Sequence, residues 1–159
     1  MRSALPVLLA VVVLAALAPP ASASIVLGEH IAGVRLGDPL SAVTARHGAP
    51  SRKLVGDEEG DYGLFWDRIR LHALMLTADD TVGLVSTTST TQRTSRHIGP
   101  GVRASTARRR LTGERCATYY DGDRRREVLG CDVRSRTGAT TTFVIWSGRV
   151  REVVLSRTG

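Results

Sequence analysis

The sequence predicts an α+β fold made of two tandem repeats, each a short helical element packed on an antiparallel β-meander. Three observations support this prediction. The stretch from Ile31 to Pro50 contains a short helix between explicit start and stop residues. A degenerate copy of that stretch begins at Ile98. Both copies lead into an aromatic strand, YGLFW or TTFVIW, that is followed by a turn and a valine-rich strand.

The first helix is predicted from its two ends and from one apolar face. Asp38 can cap the start of a helix, and Pro39 suits the first helical position, where no N–H is needed. Gly48 and Pro50 are typical of a helix end. Between them lie the residues that recur at the spacing of one helix face: Leu36, Leu40, Val43 and His47. About nine helical residues are too few to be stable alone, so this helix must pack on a sheet.

The second helix is predicted from the same spacing. It covers Val102 to Leu111, with Ala104, Ala107 and Leu111 on one face. Gly113 stands where Gly48 stands in the first copy. The strands predicted around the two helices are 51–55, 62–66, 68–77, 82–90, 127–133, 140–147 and 150–156, with a two-residue turn at Gly148-Arg149.

The first 23 residues have the features of an export signal. Arg2 precedes an apolar run, Pro19-Pro20 ends it, and Ala21-Ser22-Ala23 fits a cleavage site. We therefore predict a signal peptide over residues 1–23, a first repeat over 24–97 and a second over 98–159. The prediction is a secreted protein that does not span a membrane and carries no lipid-anchor cysteine.

Export places the two cysteines, Cys116 and Cys131, in an oxidising compartment, and this favours a disulfide between them. Two free thiols or a zinc site are the alternatives. If the two repeats are built alike, the bridge would join the end of the second helix to the strand predicted over 127–133.

The formal charge of +7 is concentrated in the second repeat. Residues 24–97 carry eight basic against nine acidic side chains, whereas residues 98–159 carry thirteen arginines against six acids. The basic clusters are 108–110 and 124–126. They indicate either an anionic partner, such as a wall polymer or an acidic protein patch, or simply solvated surfaces. Nucleic acid is not expected for an exported protein.

No pattern indicates catalysis, a cofactor or a metal. The four histidines stand apart, no serine has the glycines of a nucleophile elbow, and no acidic pair suggests acid–base work. The acidic loop 56–61 lacks the alternating pattern of a calcium loop. His47, on the apolar helix face, is expected to be a core-edge residue bonded to backbone. An enzyme remains the third hypothesis.

Side chains on or beside the strands are the candidates for binding a protein partner. If Phe143 and Ile145 face the helix, Val144 and Trp146 face away from it. Outward aromatic residues would form a binding surface, whereas Trp66 and Trp146 are core residues in the alternative view. The candidate partner-binding residues are Trp66, His72, Tyr119, Tyr120, Trp146, Arg124, Arg125 and Arg126.

The segment GVRLGDPLSAVTARHGAP, followed by a meander and VGLV, resembles the sequence pattern of a known protein family. That family joins the small outer-membrane lipoprotein of the β-barrel assembly machinery and the secreted β-lactamase-inhibitory proteins. Its pattern is matched here by Gly37, Asp38, Val43, Gly48 and Pro50. The resemblance implies a binding scaffold with a helix-to-strand disulfide. The first repeat lacks the cysteines of the inhibitory branch, and no residue matches an inhibitor contact loop.

The leading functional hypothesis is a secreted, non-enzymatic binding protein, possibly inhibitor-like, for an extracellular or envelope protein. The alternative is a protein that associates with polyanions or the cell wall through its arginine-rich second repeat.

Overall fold

The computed structural model describes residues 24–55, 60–122 and 124–157. This part of the chain is mostly antiparallel β-sheet with two short α-helices, as the α+β prediction requires. The predicted signal peptide and most of the acidic loop 56–61 lie outside the described residues.

The strands form a small sheet and a large one. The small sheet contains β1 (Ile25–Val26), β2 (His30–Ile31) and β3 (Val34–Arg35). The large sheet contains β4 (Arg52–Val55), β5 (Tyr62–Trp66), β6 (Leu71–Leu76), β7 (Thr81–Thr87), β8 (Arg115–Asp121), β9 (Arg126–Arg134), β10 (Ala139–Trp146) and β11 (Arg149–Arg157). A 3₁₀ turn, Asp67–Ile69, joins β5 to β6.

The large sheet is continuous across the two predicted repeats. Its order is β4-β5-β6-β7-β11-β10-β9-β8. Two four-stranded meanders meet where β7 pairs antiparallel with β11, with Val85 opposite Leu155. The edge strands of the whole sheet are therefore β4 and β8.

Helix α1 (Leu40–His47) ends as predicted but begins differently. Gly48 has φ 78° and its N–H donates to the Thr44 carbonyl, which closes the helix. The prediction that Asp38 caps the helix is wrong: its carboxylate accepts from the Arg35 N–H at 2.9 Å and so stabilises the preceding turn. His47 lies at the core edge, with Nε2 3.1 Å from the Ala32 carbonyl oxygen, as predicted.

Helix α2 (Ala104–Arg110) is attached to the sheet by the same backbone bonds as α1. Gly37 donates to Val82 at 2.8 Å, and Gly101 donates to Val150 at 2.7 Å. Residue 39 bridges the first residue of β7, and residue 103 bridges the first residue of β11. Each helix thus starts from a glycine that is tied to the last strand of its own meander.

One continuous core lies between the large sheet and the elements that cover it. Val43 of α1 and Ala107 of α2 are fully buried in it. The small sheet contributes Ile25, Ile31 and Val34, and the large sheet contributes alternate residues of β5, β6, β7, β9, β10 and β11. Phe143 is the largest fully buried side chain.

The disulfide between Cys116 and Cys131 is present, but its predicted position is wrong. Both cysteines lie in strands, and they are direct partners in the β8–β9 register. The bridge therefore joins the edge strand to its neighbour, not a helix end to a strand. The sequence reading did not predict β8, because RCATYYD has no apolar alternation and six of its seven residues are exposed.

Two strand boundaries also differ from the predictions. The strand predicted over 68–77 begins at Leu71, because Asp67–Ile69 forms the 3₁₀ turn and Arg70 takes a left-handed conformation. The turn predicted at Gly148-Arg149 is Ser147-Gly148, and Arg149 is the first residue of β11.

Candidate functional site

The two faces of the large sheet carry different side chains. The helix-covered face has the core residues. The other face, called here the open face, carries the alternate residues of each strand. On it lie Phe65 of β5, His72 of β6, Ser86 of β7 and Val154 of β11, which follow one another across the paired strands.

A cavity of about 720 Å³ lies on the open face. Its lining includes Arg52 of β4 and Tyr119 of β8, the two edge strands. In a flat sheet those strands would be about 34 Å apart, at about 4.8 Å for each of seven steps. The sheet therefore curves around this face and brings its edges toward one cavity. This volume lies within the range of about 300–1,000 Å³ that small-molecule pockets have.

One wall of the cavity is a stack of two rings. Phe65 and His72 lie 4.3 Å apart between centroids at an interplanar angle of 8°. A Cβ at Gly63 would stand 3.0 Å from Nε2 of His72 and 3.4 Å from the Phe65 ring. The absence of a side chain at Gly63 therefore leaves room for the two stacked rings. Burial lowers the pKa of His72, and the nearby Arg52 lowers it further while Glu152 opposes the shift. The imidazole is therefore neutral at pH 7.

Arg52 of the edge strand β4 extends this wall by packing against the Phe65 ring. Its guanidinium Cζ lies 4.5 Å from the Phe65 ring centroid. The same group donates two hydrogen bonds to the Asp67 carboxylate, at 3.1 and 2.9 Å. This bidentate pair raises the pKa of Arg52 and lowers that of Asp67. Because both side chains are about half exposed, the pair orients Arg52 more than it stabilises the fold.

The opposite wall of the cavity is the Tyr119 ring, which also packs over a glycine. A Cβ at Gly130 would come within 2.7 Å of its Cε1, so the ring lies over the neighbouring strand β9. Burial raises the pKa of the Tyr119 phenol, and the Asp121 carboxylate adds to the shift. The hydroxyl is therefore a neutral hydrogen-bond donor at physiological pH.

Arg124 bridges this wall to the cavity floor. It forms ion pairs with Asp121 and with Glu152, and its Cζ lies 5.0 Å from the Trp146 ring centroid. Arg151 approaches the same ring at 5.8 Å. Arg124 is thus held by two carboxylates and one aromatic face, which makes it a fixed part of the site.

The open face also places a serine, a histidine and an acid in one cavity. His72 and Ser86 are cross-strand neighbours, and Glu152 lines the same space. No hydrogen bond joins the three side chains. Glu152 is held by Arg124, and Nε2 of His72 lies over Gly63. An activated nucleophile needs a base within hydrogen-bond reach, and the base needs an orienting partner. Neither relation is present here.

The structure brings together only part of the predicted set of partner-binding residues. His72, Tyr119 and Arg124 line the cavity, and Trp146 lies beside it on the open face, which is one of the two placements that the sequence left open for it. Including Trp66 is wrong: the side chain is 3% exposed on the helix-covered face and donates to the Gly48 carbonyl.

The remaining predicted residues lie outside the cavity. Tyr120 points to the other face and is 66% exposed. Arg125 and Arg126 are exposed at the β8–β9 turn.

Sequence reasoning missed several residues of the cavity. These are Arg52, Phe65, Asp67, Arg70, Ser86 and Glu152. One signal was available, because a glycine inside a strand often marks a close approach. Gly63 in YGLFW and Gly130 in VLGCDV mark the two aromatic walls.

No group of three or more potential metal ligands occurs in the described ranges. Neither α-helix in the part of the chain that the structure describes has the length or apolar character of a membrane-spanning segment.

Comparison with known proteins finds similarity in fold alone. No family model matches the chain, and no curated protein matches it. A DUF4309 family protein, YjgB, from Bacillus subtilis superposes with a TM-score of 0.57 at 17% identity, covering 82% of this chain and 88% of that one. An extracellular protein with an SCP domain from Bacillus anthracis superposes at 0.51 and 10% identity, covering 77% of this chain and 44% of that one. Neither is described as a member of the resembled family, so that resemblance stays a prediction.

Proposed function

We propose that this chain is a secreted, non-enzymatic binding protein that receives a segment of an exported protein on its open face. The observation that carries the proposal is the cavity of about 720 Å³ between the two aromatic walls. Its floor includes Leu84, Val144 and Val154, and its rim carries Arg52 and Arg124. Aromatic and arginine side chains around a desolvated centre are typical of protein-binding hot spots.

The rigidity of the site supports this function. The Phe65–His72 stack, Tyr119 and Arg124 are each packed over a glycine or held by ion pairs in the free protein. Side chains that are already ordered lose little entropy on binding.

Two neighbouring tyrosines of one strand test this proposal. Tyr119 lines the cavity, whereas Tyr120 is on the other face of β8. We expect Tyr119→Ala to weaken binding of the partner, isolated by affinity capture from the producing culture, by about 30-fold. Tyr120→Ala is the matched control and should change the affinity less than about threefold. Titration calorimetry measures both. Equal affinities of the two variants would contradict the assignment of the open face.

We further infer that residues 24–97 and 98–159 are tandem repeats. The helix-start glycines, the bridges at residues 39 and 103, and the bulges between Leu74/Met75 and Val144/Ile145 occupy corresponding places. Secretion with removal of residues 1–23 is supported by the disulfide and by the extracellular protein of similar fold.

A second function, binding of a polyanion or wall polymer, is favoured by a separate observation. Among the described residues, no salt bridge engages Arg108, Arg109 and Arg110 at the end of α2, or Arg125 and Arg126 at the β8–β9 turn. These exposed charges are available to an anion. Arg124 is excluded from this group, because Asp121 and Glu152 already hold it.

Heparin chromatography tests this second function. We expect Arg125→Ser/Arg126→Ser to elute at clearly lower salt than the unchanged protein, since each lost phosphate-like or sulfate contact reduces the salt dependence of binding. Arg35→Ser/Arg68→Ser removes the same charge from two other exposed positions and is the control. If the two double variants eluted at the same salt concentration, binding would depend on net charge alone. That result would contradict a specific polyanion site at Arg125 and Arg126.

A further inference from the structure

The edge strand β8 has a free side that nothing in the described chain covers. Its pairing with β9 is regular from Arg115 to Asp121, with no bulge. It contains no proline, and the disulfide ties it covalently to β9. Long, regular, unprotected edges are rare in soluble proteins, because they pair readily with another strand.

The disulfide identifies which backbone groups face outward. The Cα atoms of Cys116 and Cys131 are 4.0 Å apart. That separation is typical of a non-hydrogen-bonded antiparallel pair, for which about 4.5 Å is expected, against about 5.5 Å for a bonded pair. The N–H and C=O groups of Cys116 therefore point away from β9, and by alternation so do those of Thr118 and Tyr120. These three residues form the hydrogen-bonding edge.

The sequence of β8 is complementary to itself when two copies run antiparallel about Thr118. Cys116 then lies opposite Tyr120 of the second copy, so every outward-facing backbone group meets another. On the open face, Arg115 lies opposite Asp121, whose carboxylate also accepts from Arg124 of its own chain, and Ala117 lies opposite Tyr119. Opposite charges and small-with-large pairs stabilise antiparallel strands. Both tyrosines of β8 are substantially exposed in the single chain, at 43% and 66%.

The other edge lacks these properties. Strand β4 has four residues, and two of them, Arg52 and Lys53, are cationic. In an antiparallel pairing of β4 with itself, these cations would meet each other or the apolar Leu54 and Val55. Lysine and arginine on a short edge discourage pairing. Charge complementarity thus selects β8.

We infer that two copies of this chain associate through β8 about a two-fold axis at Thr118, joining their eight-stranded sheets into one. The interface is isologous, with two Arg115–Asp121 pairs related by the axis. The open faces of the two copies become continuous, and each Tyr119 lies next to the boundary between them. The inference does not rest on the proposed function, since it uses only the strand edge.

Sedimentation velocity over a concentration series tests the dimer. The unchanged protein should show a concentration-dependent dimer. Arg115→Glu should raise the dissociation constant about tenfold or more, because each copy then opposes glutamate to Asp121. Arg134→Glu makes the same charge change on the exposed surface of β9 and should leave the constant within about threefold. A protein that remains monomeric at every concentration, or equal effects of the two variants, would overturn the inference.

A cysteine at the axis gives an independent readout. Thr118→Cys should form a covalent dimer with a short bifunctional thiol cross-linker, seen on a non-reducing gel, since the Cβ atoms of the two side chains at the axis lie only about 5 Å apart. Leu54→Cys places an exposed thiol on the opposite edge and should remain mostly monomeric. Equal cross-linking of the two variants would contradict pairing through β8. Retention of the native circular dichroism spectrum shows that each variant has folded.

Discussion

Replacing Phe143 by alanine is expected to lower the free energy of unfolding by about 3–5 kcal/mol. The side chain is fully buried in β10, and its register partners are Cys131 of β9 and Val153 of β11. Both partners are themselves fully buried. Removing the ring leaves a cavity in the middle of the larger meander, and the paired strands on each side limit how far it can collapse.

Urea denaturation followed by circular dichroism measures this loss. Leu54→Ala, at a 57% exposed position of β4, is the control and should change stability by less than about 0.5 kcal/mol. A loss below about 1 kcal/mol for Phe143→Ala would mean that the ring is not packed between β9 and β11 as described.

The second large effect is expected from the disulfide. Cys116 and Cys131 are 15 residues apart, and closing a loop of that length stabilises a protein by about 3 kcal/mol through the entropy of the unfolded chain. The double variant Cys116→Ala/Cys131→Ala should lose about that amount. Alanine is preferred to serine because Cys131 is fully buried, where a hydroxyl would lack a partner.

Denaturation of the unchanged protein with and without reductant provides the comparison. Reduction should bring its midpoint to that of the double variant. A midpoint insensitive to reductant, in protein whose thiols are shown to be oxidised beforehand, would mean that the bridge contributes nothing to stability. Because β8 has one strand neighbour only, its loss of order on reduction should also expose Tyr119, visible as a change in tyrosine fluorescence.

Much of the architecture could be predicted because its signals are local. Gly48 ended α1, alternation in TTTFVIW set Phe143 and Trp146 on opposite faces of the sheet, and YGLFW predicted the bounds of β5 without change. The presence of two cysteines in a chain with an export signal predicted the disulfide between them. Each of these features depends on a few neighbouring residues, so a single sequence carries the information.

The predictions that failed depended on distant partners. Asp38 precedes a helix but bonds the turn before it. From the sequence, the Trp66 side chain could lie on either face of the sheet. It lies on the helix-covered face, where its indole N–H donates to the Gly48 carbonyl. Strand β8 is polar and exposed, and it exists because β9 and the disulfide hold it. No local pattern distinguishes these outcomes.

The sequence by itself determined the class of fold, the positions of both helices, the oxidised cysteine pair and the basic character of the second half. The cavity on the open face was decided only by the tertiary structure. Arg52 and Tyr119 are 67 positions apart in the chain and lie on opposite edges of the sheet, yet both line one cavity. The pairing of β7 with β11 and the curvature of eight strands bring them together. Both are long-range properties, which no local spacing of residues specifies.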